Sequence, residues 1–362
     1  MLERPFTILH IAFIDENPFA GVNIAAAQHV IAQQDWAEVA LVNLTNLPVA
    51  GVRQQFAYAD DFDVTKLPAP FCAPGLVVFH ELYRPPFLRI SRQLRRLQIP
   101  YVIIPHGGLT AFAQRKKKLK KTVANLVLFD RFFDGAAAIQ YLSQTECDAS
   151  GRGRERIILP NGVTLTQVER PERAGDGVTF CFIGRLDIKI KGLDLLLEAV
   201  GSIKDLLTER HCTFEIYGCD VEGSSAALQE YVEKNGLSQL VRLHGPVLGD
   251  DKQAVLAGAD CFVQPSRSEG MPMGVLEALG VGIPCLVSNA SGLAAKVSAC
   301  DAGWVCSPDA ASIADCLTHI TEDPKRGEKS LRAMELARSF SWKRVSQETV
   351  ETYQKLAAAF QK

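Results

Sequence analysis

Short apolar runs alternate with longer amphipathic or polar stretches along most of the chain. In the first half the runs fall at 6–14, Glu38–Val42, Gly75–Phe79, Tyr101–Ile104, Ala137–Leu142 and Ile157–Leu159. Runs of this length bounded by turn residues suit buried strands, and strands alternating with helical stretches imply a parallel sheet. After Pro160-Asn161-Gly162 comes a polar stretch, Thr164 to Gly177, rich in Glu, Arg and Gly. The alternation then restarts at Val178–Ile183 and continues through Cys212–Tyr217, Leu240–His244, Cys261–Gln264 and Ile283–Val287. Helical spacing is clearest at Leu193, Leu196, Leu197 and Val200. Val345, Val350, Tyr353 and Leu356 predict an amphipathic helix from Trp342 to Phe360. The pattern therefore predicts an α/β chain of two Rossmann-like parallel-sheet domains, 1–165 and 166–340, with a closing helix in 341–362. Open parallel sheets bind ligands at the carboxyl ends of their strands, so two in tandem are expected to face one another across a cleft.

With 362 residues the chain is long enough for two average domains. The apolar run at 6–14 is too short to span a membrane and ends at Asp15-Glu16 without a small-residue cleavage site, so it reads as a strand. Ten cysteines contain no CxxC pair, and Cys181, Cys212, Cys261 and Cys285 sit inside apolar runs, which fits core residues in a reduced cytoplasm. The net charge of −2 divides unevenly, with about +4 up to residue 165 and about −6 beyond it. Between Arg84 and Lys121 lie Arg84, Arg89, Arg92, Arg95 and Arg96 and the run Arg115 to Lys121, with no Asp or Glu. Interleaved aromatics and any nucleic-acid module are missing there, which argues against nucleic acid. A solvated face is the plain expectation, and a peripheral position on the anionic inner face of the cytoplasmic membrane is the sharper one.

Two segments of the second half carry candidate chemistry. After the strand Cys261–Gln264 comes Pro265-Ser266-Arg267-Ser268-Glu269-Gly270-Met271-Pro272-Met273-Gly274-Val275-Leu276-Glu277. Gly270 and Gly274 let backbone approach a ligand, and the helix that follows directs N–H groups and partial positive charge toward an anion. Glu269 and Glu277 would repel phosphate, but acceptor-only carboxylates suit the hydroxyl pairs of sugars beside it. Alone, such a pair reads as an ordinary amphipathic helix and its start. The second segment changes this. The strand at Phe180–Ile183 runs into Gly184-Arg185-Leu186-Asp187-Ile188-Lys189-Ile190-Lys191-Gly192, placing Arg185 and Lys191 where they can neutralise a diphosphate.

Together these segments resemble the family 4 retaining glycosyltransferases (glycosyl transferases group 1) of the GT-B fold, with their G-R-L...K-G segment and E-x7-E motif. Gly270, Pro272, Gly274, Ala278 and Gly280 also fit. So do Pro160-Asn161-Gly162-Val163, Ile216-Tyr217-Gly218, His244-Gly245-Pro246-Val247 and Phe340-Ser341-Trp342. The first half is matched more loosely, through Phe19-Ala20-Gly21 and Pro105-His106-Gly107-Gly108. The resemblance implies a donor half in the second domain and a last helix that crosses back to the first. Glu277 would hold ribose hydroxyls, Glu269 the donor sugar, and backbone at Gly270, Met271, Pro272, Met273 and Gly274 the sugar and phosphates. Arg185 and Lys191 would stabilise the departing nucleoside diphosphate without a metal or other cofactor, and Gly218 and Val247 would line the nucleobase. The Arg185 to Lys191 spacing is one residue longer than the common form. Lys189 is also available, and Lys191 is preferred because Gly192 follows it.

In the first half, His106 follows a strand and precedes two glycines; by resemblance it would lie against the transferred sugar, with Gly21 also at the substrate. Glu81, Asp15 and Glu16 are weaker candidates for an acceptor hydroxyl. Asp60-Asp61-Phe62-Asp63 contains an Asp-x-Asp, but its polar loop is remote from the phosphate segments, so no metal is expected. No nucleophile is evident; by resemblance, a same-face substitution is expected in which the departing phosphate helps deprotonate the acceptor. The expected activity is sugar transfer, with retention, from a UDP- or GDP-linked donor to a carbohydrate or lipid-linked carbohydrate, as in bacterial polysaccharide or lipopolysaccharide assembly. Alternatives are a sugar-nucleotide epimerase or phosphorylase on the same scaffold, or a non-catalytic nucleotide-sugar-binding subunit.

Overall fold

The β-branched and aromatic runs form strands because both faces of a parallel sheet are covered, so near-continuous apolar sequence can be buried there. The computed structural model describes residues 6–109, 129–166 and 177–360; the basic run Arg115–Lys121 lies outside the described residues. The chain divides into two compact units, Met1–Gly162 with Trp342–Lys362, and Val163–Ser341.

In the first unit, strands β1 (Thr7–Ala12), β2 (Glu38–Asn43), β3 (Gln55–Ala57), β4 (Leu76–His80), β5 (Tyr101–Ile104), β6 (Ala138–Tyr141) and β7 (Arg156–Ile158) form a sheet in the order β3-β2-β1-β4-β5-β6-β7. The described pairings are parallel, with Leu9 opposite both Ala40 and Val77. The strand order turns back between β1 and β4, which makes their carboxyl ends the crevice where a ligand can enter. One core gathers Leu9, Ile11, Val77, Phe79, Ile103 and Tyr141. The predicted terminal helix is Trp342–Phe360; it buries Val345, Val350 and Tyr353 and packs on the helix Gly21–Gln33. Tyr353 bonds to the side chain of Gln140, and Trp36 Nε1 donates to Ser346 Oγ at 3.0 Å.

In the second unit, β8 (Thr179–Ile183), β9 (Thr213–Tyr217), β10 (Val241–His244), β11 (Cys261–Gln264), β12 (Cys285–Ser288) and β13 (Gly303–Cys306) follow the order β10-β9-β8-β11-β12-β13, again parallel. The order turns back between β8 and β11. The chain enters at Val163 and leaves at Ser341, which form a parallel bridge, with Val163 N donating to Phe340 O at 2.8 Å. In the first unit a Cβ on Gly162 would lie 2.4 Å from the Trp342 ring. Both crossing motifs, Asn161-Gly162-Val163 and Phe340-Ser341-Trp342, thus have a packing explanation.

Two strands escape the apolar pattern. Only three residues long and partly exposed, β3 leaves no apolar run. β13 opens on Gly303, leaving an apolar run of only Trp304 to Cys306; a Cβ on Gly303 would lie 2.0 Å from Cys285 O, so glycine is what lets this strand pair with β12. The ten cysteines are free, and Cys181, Cys212, Cys261 and Cys285 are buried. Among the described residues no helix is long and apolar enough to cross a membrane.

Candidate active site

At the β8–β11 crevice, glycines bring the segments together. Gly184 N donates to Tyr217 O and Leu186 N to Cys219 O, so the Gly184-Arg185-Leu186 segment runs beside Tyr217-Gly218-Cys219. A Cβ on Gly218 would lie 1.9 Å from Gly184 O. Asp187 then caps the short helix Ile188–Lys191 by accepting from Ile190 N at 3.1 Å. Gly192 ends that helix at φ +69°, where a Cβ would lie 2.3 Å from Pro265 O. Lys191 is therefore held against the loop that follows β11.

That loop is stitched back in return. Arg267 N donates to Ile190 O at 2.8 Å, and its guanidinium grips both oxygens of Asp194 at 2.8 and 2.7 Å. Although burial would raise the Asp194 carboxyl, the Arg267 hydrogen bonds hold it below the usual carboxylate range. Glu269 forms a bridge with Ser291, accepting from Gly292 N and donating its own N–H to Ala290 O. Its Oε1 receives Lys191 Nζ at 2.6 Å, with both side chains 15% exposed, and Ser266 Oγ at 3.4 Å.

The helix Met273–Gly280 begins after Pro272, at φ −72°, and no side chain caps it. Pro272 itself has no N–H to offer. The close approach made by Gly274 is to protein: a Cβ there would meet Ile183 O at 3.0 Å and the Phe262 ring at 3.1 Å. Glu277, on this helix, pairs through Oε2 with Nζ of Lys252, from the helix Gly249–Ala257. Val247 is half-buried two residues before that helix, and Tyr217 stacks on His244 with centroids 4.3 Å apart. Arg185 is exposed; its carbonyl accepts from Asp187 N at 2.8 Å, and its guanidinium makes no hydrogen bond or ion pair to a described residue. The carboxyl ends of β8 and β11 thus offer an unspent guanidinium and two carboxylates that already hold lysines. An ammonium has three N–H donors, so Lys191 can keep Glu269 and still reach an anion.

Arg185, Lys191, Glu269, Gly270 to Gly274, Glu277, Gly218 and Val247 all belong to the second unit, at or after the carboxyl ends of β8 to β11. His106 and Gly21 belong to the first. A cavity of about 390 Å³ there is lined by Val22, Glu81, Tyr83, Arg84, His106 and Gly108, among others. Glu81, Tyr83 and His106 around it have φ of 74°, 57° and 47°, left-handed values that cost a side-chain-bearing residue energy and gather at functional sites. A Cβ on Gly21, beside Val22, would meet no protein atom within 4 Å, so glycine there keeps open space. Arg84 pairs with Glu81 at 2.7 Å and lies 3.8 Å over the Phe13 ring. Asp15 is taken up by Asn17 N and Asn23 Nδ2, and Asp63 by Thr65 and Gln93 as the cap of a turn. Among the described residues no group of three or more His, Cys, Asp or Glu is arranged to hold a metal ion.

Behind His106 lies a chain of imidazoles that apolar periodicity conceals. His106 Nε2 meets His80 Nδ1 at 3.0 Å, His80 Nε2 meets His10 Nδ1 at 2.9 Å, and His10 Nε2 meets Gln33 Oε1 at 3.1 Å. Beside them His29 Nε2 bonds to Asn161 Oδ1 at 3.0 Å. Burial, then the neighbouring His29, pushes His10 and His106 down to about 3; burial, against the hydrogen bond to Asn161, takes His29 to about 4, and burial takes His80 well below its usual value. All four are neutral at pH 7. The loop after His106 is anchored by Glu146, which accepts from Gly107 N at 2.6 Å and Leu142 N at 2.9 Å. Burial raises the Glu146 carboxyl against those two bonds. Glu146, Lys252, Asp194, His10 and His80 were not among the expected residues. Only Glu146 has a local sign, the Ser143-x-x-Glu146 capping pattern, in which Ser143 Oγ accepts from Glu146 N.

Residues 177–323 match the family model described as glycosyl transferases group 1. The second unit is a glycosyl transferases group 1 domain. The chain is 28% identical over 239 residues to a D-inositol 3-phosphate glycosyltransferase of Paenarthrobacter aurescens, covering 62% of this chain and 58% of that protein. It spans about half the length of the curated relatives it matches. Sucrose-phosphate synthase from Thermosynechococcus elongatus superposes with a TM-score of 0.74 at 17% identity, covering 98% of this chain and 100% of that one. Anabaena HepE, solved with UDP and glucose, gives 0.71 at 17% identity, covering 97% and 100%. The chain has the GT-B fold, with the group 1 domain preceded by a second Rossmann-like unit.

Proposed function

We propose that this chain is a retaining glycosyltransferase that moves a sugar from a UDP- or GDP-linked donor to a hydroxyl acceptor. The observation that carries this reading is the β8–β11 crevice of the group 1 domain, where the unpaired Arg185 guanidinium follows β8 and the Lys191–Glu269 pair ties the segment after β8 to the loop after the neighbouring β11. Arg185 and the remaining N–H groups of Lys191 neutralise the diphosphate as its bond to the sugar breaks, which is where negative charge grows. Glu269 accepts from hydroxyls of the transferred sugar and Glu277 from those of the ribose. Backbone from Gly270 to Gly274 borders the sugar and phosphates, and Gly218 and Val247 border the base. Support for such a donor comes from Anabaena HepE, which shares the fold and was solved with UDP and glucose.

The first unit supplies the acceptor side. Its cavity presents His106 and the Glu81–Arg84 pair, polar groups suited to sugar hydroxyls, and the matched relative from Paenarthrobacter aurescens is named for a hydroxyl-rich acceptor. A carbohydrate or lipid-linked carbohydrate in polysaccharide or lipopolysaccharide assembly is the narrower form of the proposal. His106 lies against the transferred sugar and acts by hydrogen bonding, since its low basicity makes it a poor proton carrier at neutral pH. A cytoplasmic enzyme resting on an anionic membrane would use exposed Arg92 and Arg96 of the helix Pro85–Arg96.

Turnover tests the proposal. Incubated with UDP- or GDP-sugars and oligosaccharide or glycolipid acceptors, the chain should release free nucleotide in step with glycosylated product, and only when acceptor is present. Donor epimerised without nucleotide release would assign it to another class. Binding without turnover on any acceptor would make it a binding subunit.

A further inference from the structure

The imidazole chain ends where a proton cannot leave. Gln33 is fully buried, and a carboxamide neither gains nor loses a proton at neutral pH, so the chain is not an outlet to solvent. What it can do is fix where each proton sits. A neutral imidazole has one N–H and one bare nitrogen. Gln33 Oε1 can only accept, so His10 must carry its proton on Nε2 and present a bare Nδ1. His80 must then donate from Nε2 and present a bare Nδ1. His106 must in turn donate from Nε2, leaving its own Nδ1 bare.

We propose that Gln33, His10 and His80 are positioning residues that lock His106 in the Nε2–H tautomer, so that its Nδ1 meets a sugar hydroxyl as an acceptor. The inference rests on the reading of His106 as part of the substrate site. The rings are held for this role. His80 stacks between His10 and His106, with centroids 5.2 and 5.3 Å apart and planes within 24° and 21°. His29, 5.9 Å from His80 and 6.4 Å from His106 by centroid, has its own partner in Asn161 and does not break the chain. The three links run head to tail, so one amide sets all three rings. Turning the Gln33 amide over would present a donor to His10 and move every proton to Nδ1. The lock leaves Gln33 Nε2 buried with no hydrogen-bond partner, an arrangement that bonding to His10 alone does not relieve.

The test is long-range 1H–15N correlation NMR of the full chain labelled with 15N-histidine, at neutral pH and without ligand, which reports the tautomer of each ring. The expected result is Nε2–H on His10, His80 and His106 together. Gln33→Met, which removes the acceptor, should take His106 out of that tautomer, and Gln33→Glu, whose oxygens only accept, should restore it. Mixed tautomers within the wild-type chain, Nδ1–H on the three rings, or an unchanged His106 in folded Gln33→Met would overturn the proposal. Should Gln33→Met fail to fold, the wild-type spectrum decides alone. No turnover enters the measurement, so its failure is distinct from failure of the transferase reading, which donor binding tests.

Discussion

The two candidate sites solve the problem of placing polar groups near a core in opposite ways. In the group 1 domain the groups are charged, partly exposed and paired, Lys191 with Glu269 and Lys252 with Glu277. In the first unit the cavity keeps one charged pair, Glu81 with Arg84, but the imidazoles behind it are neutral and buried, with His10 and His80 fully inaccessible and His29 nearly so. Charges can be left at a surface because water and a counter-charge share their cost, whereas an isolated buried charge is too costly and the group neutralises instead. The β8–β11 crevice therefore suits an anion. The imidazole cluster is built to stay uncharged and to fix geometry.

Acid should separate the two regions most strongly. The folded values of His10, His29 and His80 lie below the ordinary 6.5, so between about pH 6.5 and 4 the unfolded chain binds protons that the folded one refuses. Stability then falls as pH falls, by about 1.4 kcal/mol per pH unit for each such imidazole. Hydrogen exchange across this window should show β1 and β4 losing protection well before β8 and β11. Equal loss in both units would break the contrast.

Backbone crowding gives the next largest effect. Gly218→Ala puts a methyl 1.9 Å from Gly184 O and should cost about 3 kcal/mol in urea unfolding, while Gly21→Ala, with open space around it, should cost less than about 1 kcal/mol yet weaken substrate turnover. Lys252→Met leaves the partly buried Glu277 without its counter-ion. A loss of about 1–2 kcal/mol in stability is expected, regained in part by Lys252→Arg. Smallest is Asp194→Asn, which weakens the half-exposed Arg267 bridge and should lower stability by about 0.5–1 kcal/mol without altering the fold by circular dichroism.

The same contrast explains what was legible in the sequence. The strands β1, β5, β8 and β11 stand out because parallel strands covered on both faces are continuous apolar runs. Lys191, Gly192, Glu269 and Glu277 are legible because glycine geometry and charge confine them to short segments, where spacing carries the information. Gly192 in particular is dictated by the 2.3 Å approach to Pro265 O. Lys252 and Asp194 are illegible because their partners come from other elements, and nothing local marks them. His10, in the middle of β1, and His80, at the end of β4, are hidden because each looks like a tolerated polar residue in a strand. They acquire meaning only when β1 and β4 pair side by side and bring the rings within hydrogen-bond reach. Gly218 and Gly274 show the reverse. Both occupy places expected to border a ligand, and both have a sufficient cause in protein packing.

Donor binding at the β8–β11 crevice is the central claim, and calorimetric titration of the full chain with UDP, GDP and their sugar conjugates tests it most directly. At least one of these should bind, and Glu277→Ala should weaken that binding by about tenfold, equivalent to about 1.4 kcal/mol. Failure of every nucleotide and nucleotide sugar to bind the wild-type chain, or an unchanged affinity in folded Glu277→Ala, would contradict it.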